Sequence, residues 1–246
     1  MSMVLREELS EGIVAITLNR PESLNALSPA LFSELNQIVT ELSKQTDSVG
    51  CVILRGAGRC FSAGNDLKAV QSGVKAKEKF FQAKTIDLIE KLPQPTIASV
   101  HGHCLTGALE LALACDLMIT SESANLADTH GKWGMVPGWG MSVRLPRRVG
   151  LLKAKEMMFT GMSINGLQAV EIGLSSQCVA DDHLKVSTLD LAESIVKNSW
   201  HTNFADKKLF LDNENHFHDA SLKMEREQSA TVASDMHERV KQGFKS

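Results

Sequence analysis

Hydrophobic positions along the chain fall into two alternating textures. Some are short continuous apolar runs; others are longer stretches in which apolar residues return every three or four positions. The first texture suits a strand buried on both faces, the second an amphipathic helix. Gly12–Leu18 (GIVAITL) is β-branched and closed by the breaker Asn19-Arg20-Pro21, which predicts a strand. Ser28-Pro29 reads as a helix N-cap with proline at the first helical position. Behind it, Leu31, Leu35, Ile38 and Leu42 form one apolar face, which predicts a helix over about 29–44. Residues 49–54 (VGCVIL) predict a second buried strand, 55–68 a Gly-rich loop, 75–91 a charged periodic helix, and 95–100 (PTIASV) a third strand.

Residues 105–114 (LTGALELALA) predict an apolar helix beginning near Thr106-Gly107, and 116–120 a further strand. After about Gly150 the texture turns helical over 151–160, 165–172, 183–199, 203–217 and 218–244, with Cys178-Val179-Ala180 the one strand signal. Short apolar strands alternating with helices imply an α/β fold of ββα units. There is no internal repeat and no low-complexity linker. The organisation expected is a core over 1–190, followed by a helical region over 191–246 that packs on a neighbouring subunit.

Composition narrows the class. With 43% hydrophobic and 22% charged residues, the chain can bury a full core and is not disordered. A net charge of −3 argues against nucleic acid as a partner. No apolar run is long enough for a membrane span, and the charged start of the chain suggests no secretory signal. The five cysteines include no C-x-x-C pair, so neither a metal site nor a disulfide framework is expected, and a reducing, cytoplasmic setting fits. Tyrosine is absent, so no phenol can act as acid or oxyanion donor.

Three places could carry chemistry. Cys60 to Leu67 follows a buried strand, and Gly64 lets the backbone turn and expose amides; the plainer reading is an ordinary turn with Asp66 as a helix cap. His101 to Glu110 runs from a strand into the apolar helix, whose first amides lack intrahelical partners. Glu110 is the one charge in that helix, so burial should raise its pKa; the alternative is a residue on a polar edge. Asp128 to Gly140 is a Gly-rich loop with two tryptophans, in which His130 is either a general acid or base or a satisfied histidine. The other histidines (His101, His103, His201, His216, His218, His237) read as solvated or satisfied, and Lys223, Arg226, Arg239, Lys241 and Lys245 as a solvated face.

Taken in order, several of these segments resemble the enoyl-CoA hydratase/isomerase (crotonase) superfamily over essentially the whole chain. The marks are Leu18-Asn19-Arg20-Pro21 with Asn25-Ala26-Leu27, Phe61 to Leu67, His101-Gly102 through Glu110-Leu111-Ala112, Cys115-Asp116, Gly134 to Gly138, and Arg144-Leu145-Pro146. The resemblance implies a spiral of ββα units with a helical C-terminal region used in trimerisation, giving a homotrimer or a dimer of trimers. It also implies an acyl-CoA substrate, no further cofactor, and stabilisation of a thioester enolate. The amides of Asn65 and Gly107 fall at the oxyanion-hole positions. Ala63, Asn65, Asp66, Leu67, Lys68 and Gly107 fall at substrate-binding ones.

In the hydratases two glutamates manage the added water. One falls on Glu110; the other falls on His130, a departure from the pattern. Hydration of a 2,3 double bond remains the expected reaction. An isomerase needs only Glu110, and a malonyl-type decarboxylase needs no activated water. His130 with Pro137-x-Trp139-Gly140 is similar to the ethylmalonyl-CoA decarboxylase branch. A non-catalytic acyl-CoA-binding or assembly protein, or an RNA-binding relative, is the alternative of a different class.

Overall fold

A computed structural model describes residues 2–74 and 76–213. The chain opens with β1 (Val4–Ser10), β2 (Gly12–Leu18) and α1 (Pro29–Leu42), followed by β3 (Val49–Gly56) and the helices α2 (Leu67–Gln71) and α3 (Phe81–Glu90). Next come β4 (Thr96–Val100), β5 (His103–Leu105), α4 (Gly107–Leu113), β6 (Leu117–Ser121) and β7 (Asn125–Ala127). After a short 3-10 turn at His130–Trp133 follow α5 (Met141–Val149), α6 (Leu151–Thr160), β8 (Ser163–Ile164), α7 (Gly166–Glu171), β9 (Gln177–Val179), α8 (Leu184–Val196) and α9 (Trp200–Asn213).

The large sheet runs β1-β2-β3-β4-β6-β9, parallel except for the β1–β2 pair. Layers on both faces explain why β2 is buried at every residue. Because strand side chains alternate, Ile13 and Ala15 pack with α8, while Val14, Ile16 and Leu18 face the layer containing α1, α3 and α4. A second ladder climbs beside this sheet. It passes from a Leu27–Asn65 bridge and a Ser62–Cys104 bridge to the β5-β7-β8 sheet. Each turn of chain thus contributes to both ladders: β4 with β5, β6 with β7. This is the crotonase-type spiral, and it stacks residues 62–65 against 104–107.

Local signals explain much of the agreement with the sequence. Ser28 Oγ accepts from the Leu31 amide, and Leu31, Phe32, Leu35, Val39 and Leu42 form the buried seam of α1. The differences are also physical. The charged segment that gave no strand signal is β1, an edge strand in which only Val4 is buried. Such an edge has no need of apolar alternation, and charge protects it. The helix expected from residue 75 starts at Phe81, because Phe80 takes a left-handed φ of 61°. Leu105 belongs to β5, so the next helix starts at Gly107. β8 is a second strand beyond Gly150.

The boundary drawn at residue 190 falls inside α8. Leu184 and Ala192, on either side of it, share one apolar layer with β2, β3, β4 and β6. Farther on, buried Lys207 of α9 donates to Asp116 Oδ2 at 2.7 Å and to the Gln94 carbonyl at 3.0 Å. Within the described residues α8 covers the second face of the sheet, and Lys207 ties α9 to the same chain. The helix expected over 218–244, with His216, His218, His237 and the basic residues beyond 220, lies outside the described residues. Among the described residues no helix is long and apolar enough to cross a membrane.

Candidate active site

Asn25 organises the first wall. It sits at φ 53°, a region that asparagine tolerates better than most residues. Its buried Nδ2 donates to the carbonyls of Ala57, Cys60 and Phe61 at 2.8, 2.9 and 3.1 Å, and its Oδ1 accepts from the Arg20 amide at 2.9 Å. Ser62 Oγ donates to the Asn25 carbonyl at 2.8 Å and accepts from the Gly64 amide at 3.1 Å. The Gly64 carbonyl and the Asp66 amide bond Leu27 at 2.8 and 3.2 Å. In a parallel bridge of this kind the residue between, Asn65, turns its own amide the other way.

What lies on that side is the start of α4. A Cβ on Gly64, at φ 96°, would stand 2.5 Å from the Leu105 carbonyl oxygen and 3.6 Å from the Gly107 nitrogen. Only glycine permits both the turn and this approach. The preceding residue, Thr106, is β-branched yet adopts φ 55° and ψ −110°, a strained conformation that costs on the order of 1–3 kcal/mol. It is held there by its amide on the Ala127 carbonyl at 2.8 Å, by a hydroxyl–hydroxyl bond to Thr129, and by the Thr129 amide on Thr106 Oγ1 at 3.2 Å. Gly107, as the first helical residue, has no intrahelical acceptor. No hydrogen bond from the Asn65 or Gly107 amide is found among the described residues.

Glu110 lies one turn along α4 and is 1% exposed. Its Oε1 accepts from the amides of Trp139 and Met141 at 2.8 and 3.0 Å. Burial pushes its carboxyl above the ordinary range, and Asp128 adds to that; the two amides and His130 oppose without reversing it. The loop supplying those amides is tied down by Arg144. That guanidinium donates to the Trp139 carbonyl at 2.7 Å, to both Glu90 oxygens at 2.8 and 2.7 Å, and to Asp87 at 2.7 Å. The Trp139 ring lies over Gly107, where an added Cβ would be 2.5 Å from Cζ3, and meets Phe32 edge-on with centroids 5.1 Å apart.

His130, 9% exposed, faces two carboxyl groups. Its Nδ1 is 2.6 Å from Asp128 Oδ1, and its Nε2 is 3.7 Å from Glu110 Oε2. The structure thus brings His130 to Glu110, which lies on a helix whose lead-in and start over 105–107 pack against the Gly64 turn. A groove of about 710 Å³ lies beside this region, lined by Ala63, Asn65, Asp66, Leu67, Lys68, Thr106 and Thr129 among others but not by Gly107, Glu110 or His130. The Asp66 carboxylate is already engaged: Oδ1 accepts from the Lys68 and Ala69 amides, both at 3.1 Å, and Oδ2 pairs with Arg20 at 2.9 Å. It caps α2, as the plainer reading expected.

Sequence reasoning did not place Trp139 and Arg144 behind Glu110, nor Asp128 against the His130 ring. Only Asp128 had a usable signal, since Asp-x-His places a side-chain acceptor two residues before a ring in the manner of an Asx-turn. All five cysteines are free thiols; burial raises the Cys51 and Cys115 thiols to about 12, so neither is a nucleophile. No group of three or more His, Cys, Asp or Glu side chains is arranged to hold a metal among the described residues. Chemically, the site offers a buried carboxyl and an imidazole beside a glycine turn and a helix start whose Asn65 and Gly107 amides make no hydrogen bond among the described residues.

Both the sequence and the fold have counterparts among known proteins. The family described as "Enoyl-CoA hydratase/isomerase" matches residues 8–246. "Probable enoyl-CoA hydratase 1, peroxisomal" of Arabidopsis thaliana is 36% identical over 77% of this chain and 71% of its own. "Short-chain-enoyl-CoA hydratase" of Clostridium acetobutylicum is 34% identical over 77% of this chain and 74% of its own. The crystal structure of an enoyl-CoA hydratase from Bacillus anthracis superposes with a TM-score of 0.92 at 34% identity, covering 99% of this chain and 96% of that one. A family match over residues 8–246, relatives above 30% identity over about three quarters of this chain, and a superposition through nearly the whole spiral make this chain an enzyme of the enoyl-CoA hydratase/isomerase family.

Proposed function

We propose that the protein adds water across the 2,3 double bond of an enoyl-CoA thioester. The observation carrying this reading is the 3.7 Å gap between Glu110 Oε2 and His130 Nε2. It is too long for a direct hydrogen bond, yet it lets both atoms reach one small oxygen species. Glu110 Oε1 is occupied by two amides, so Oε2 is its working oxygen. In this reading the Asn65 and Gly107 amides hold the thioester oxygen, whose negative charge grows as oxygen adds at C3. Donors aimed in advance in a dry site act mainly on that charge. The groove past Ala63, Asp66, Leu67 and Lys68 takes the CoA end, and no cofactor is needed beyond the CoA of the substrate. The names of the Arabidopsis and Clostridium relatives support the same reaction.

Exposed Leu151, Leu152 and Phe159 on α6 support self-association, for which we infer a trimer or a pair of trimers. Sedimentation at micromolar concentration tests this, and a monomer contradicts it.

A second reading, decarboxylation of a malonyl-type thioester, is favoured by the imidazole at position 130. Two carboxyl groups already flank that imidazole, however, and the substrate would bring another into a low-dielectric pocket. Incubation with crotonyl-CoA and, separately, ethylmalonyl-CoA decides between them. Conversion of crotonyl-CoA to 3-hydroxybutyryl-CoA is the expected outcome. Carbon dioxide from ethylmalonyl-CoA, with crotonyl-CoA untouched, refutes hydration.

A further inference from the structure

We propose that Asp128 is a positioning residue: its carboxylate holds the His130 ring with the proton on Nδ1 and the Nε2 lone pair facing Glu110 Oε2, which makes His130 the base and Glu110 the acid of the hydration. The role in hydration rests on the reading above; the lock on the ring does not.

Asp128 directly follows β7 and is 1% exposed, so its charge needs partners. Among the described residues, the hydrogen bonds its side chain accepts both come from His130 and fall on one oxygen. The His130 amide reaches Oδ1 at 3.1 Å and the ring Nδ1 reaches it at 2.6 Å. An ionised carboxylate can only accept, so Nδ1 is the donor and Nε2 is left as the ring's open nitrogen. The first bond closes an Asx-turn that sets the backbone, and the second fixes the rotation of the ring. The opposite rotamer would turn a carbon toward Glu110 and break a short charge-assisted bond.

The direction of proton flow follows. A ring with a lone pair at Nε2 takes a proton. Glu110, desolvated on α4, has its carboxyl pushed above the ordinary range, which favours the protonated form and leaves Oε2 as the proton-bearing oxygen in this proposal. Water held between them gives one proton to Nε2 while its oxygen bonds to C3. The C2–C3 π pair moves onto C2 and the thioester oxygen, and C2 takes the Glu110 proton. The imidazolium formed faces the Asp128 carboxylate. Passage of its proton to Glu110 Oε2 across the 3.7 Å gap restores the resting state. One water is consumed, and nothing is oxidised or reduced.

The test reads the ring directly. In protein carrying ¹⁵N-histidine, the His130 signals, identified among the eight histidines by their loss in His130→Gln, should show a protonated Nδ1 and a bare Nε2. Asp128→Asn keeps an oxygen acceptor for the turn but removes the charge and can present an amide donor to the ring. It should shift the population toward the Nε2–H form and lower kcat for crotonyl-CoA by about 10²–10⁴-fold with KM little changed. A purely structural Asp128 would lower the melting temperature without moving the tautomer. An Nε2–H ring in the wild type overturns the proposal, and this measurement does not depend on the variant folding. A bare Nε2 in a wild type inert toward crotonyl-CoA supports the lock and refutes the hydratase reading alone.

Discussion

The two walls of the site are built from different materials. The Asn65 and Gly107 wall is backbone: the donors proposed for it are amides, and its shape comes from a buried asparagine, a glycine turn and a strained threonine. The Glu110 and His130 wall is side chain: its groups titrate, and their orientation comes from neighbours, Trp139, Met141 and Arg144 for the one, Asp128 for the other. A backbone donor is indifferent to the identity of its own side chain but sensitive to anything that fills the space before it. A side-chain group behaves in the opposite way. Substitutions should therefore sort by wall.

The largest effect is expected at Glu110. Glu110→Gln retains an oxygen to accept from the Trp139 and Met141 amides, so the fold should hold while turnover falls by about 10²–10⁴. Unchanged activity in a folded variant would remove Glu110 from the chemistry. Next is Gly107→Val. Its Cβ would enter the Trp139 ring, itself attached to the loop that binds Glu110, and its branches would block the amide. A loss of about 10²–10³ in kcat is expected, comparable to losing one oxyanion donor. Since this substitution disturbs both walls, kinetics close to wild type would show that the Gly107 amide is not a donor to substrate.

Arg144→Met tests the support behind the side-chain wall. It leaves Glu90, Asp87 and the Trp139 carbonyl without their shared partner, at a cost of roughly 1–3 kcal/mol for a pair that is only partly shielded. Burial alone would raise the Glu90 carboxyl, but the hydrogen bond and charge of Arg144 pull it below its ordinary value. A lowered folded-state pKa adds stability above the unfolded value, and that stability is lost as pH falls through the folded one. The melting-temperature gap between wild type and variant should thus be widest near neutral pH and close in acid. A gap that widens in acid contradicts the pairing.

The smallest effect is expected at Asn65→Ala, which keeps the amide and removes only the side chain. Turnover within a few-fold of wild type fits a backbone role; a loss as large as that at Gly107 would mean the Asn65 side chain touches substrate, and the contrast between the walls would blur.

Much of the backbone wall was legible in the sequence. Gly64 before Asn65, and Thr106-Gly107 before an apolar helix, announce a sharp turn and an exposed helix start, because only a few residue types permit those conformations. Glu110 was legible for the converse reason, as a lone charge in a run whose burial was evident. The second ladder was not legible: β5, β7 and β8 are two or three residues long, too short for any periodicity to register.

The sequence by itself determined the buried strands, the seam of α1, the two glycine-bearing turns and the presence of an isolated acid, since each follows from spacing within one segment. Only the tertiary structure decided that the Gly64 turn packs on the start of α4, that Trp139 and Arg144 brace Glu110, and that α8 covers the rear of the sheet. Above all it decided what His130 sees, with Asp128 two residues before it on one side and Glu110, twenty residues earlier in the chain, on the other. The physical reason is range. Conformational preference and burial pattern are local along the chain, whereas the direction of a hydrogen bond and the field at an ionisable group are set by whichever distant segments the spiral stacks alongside.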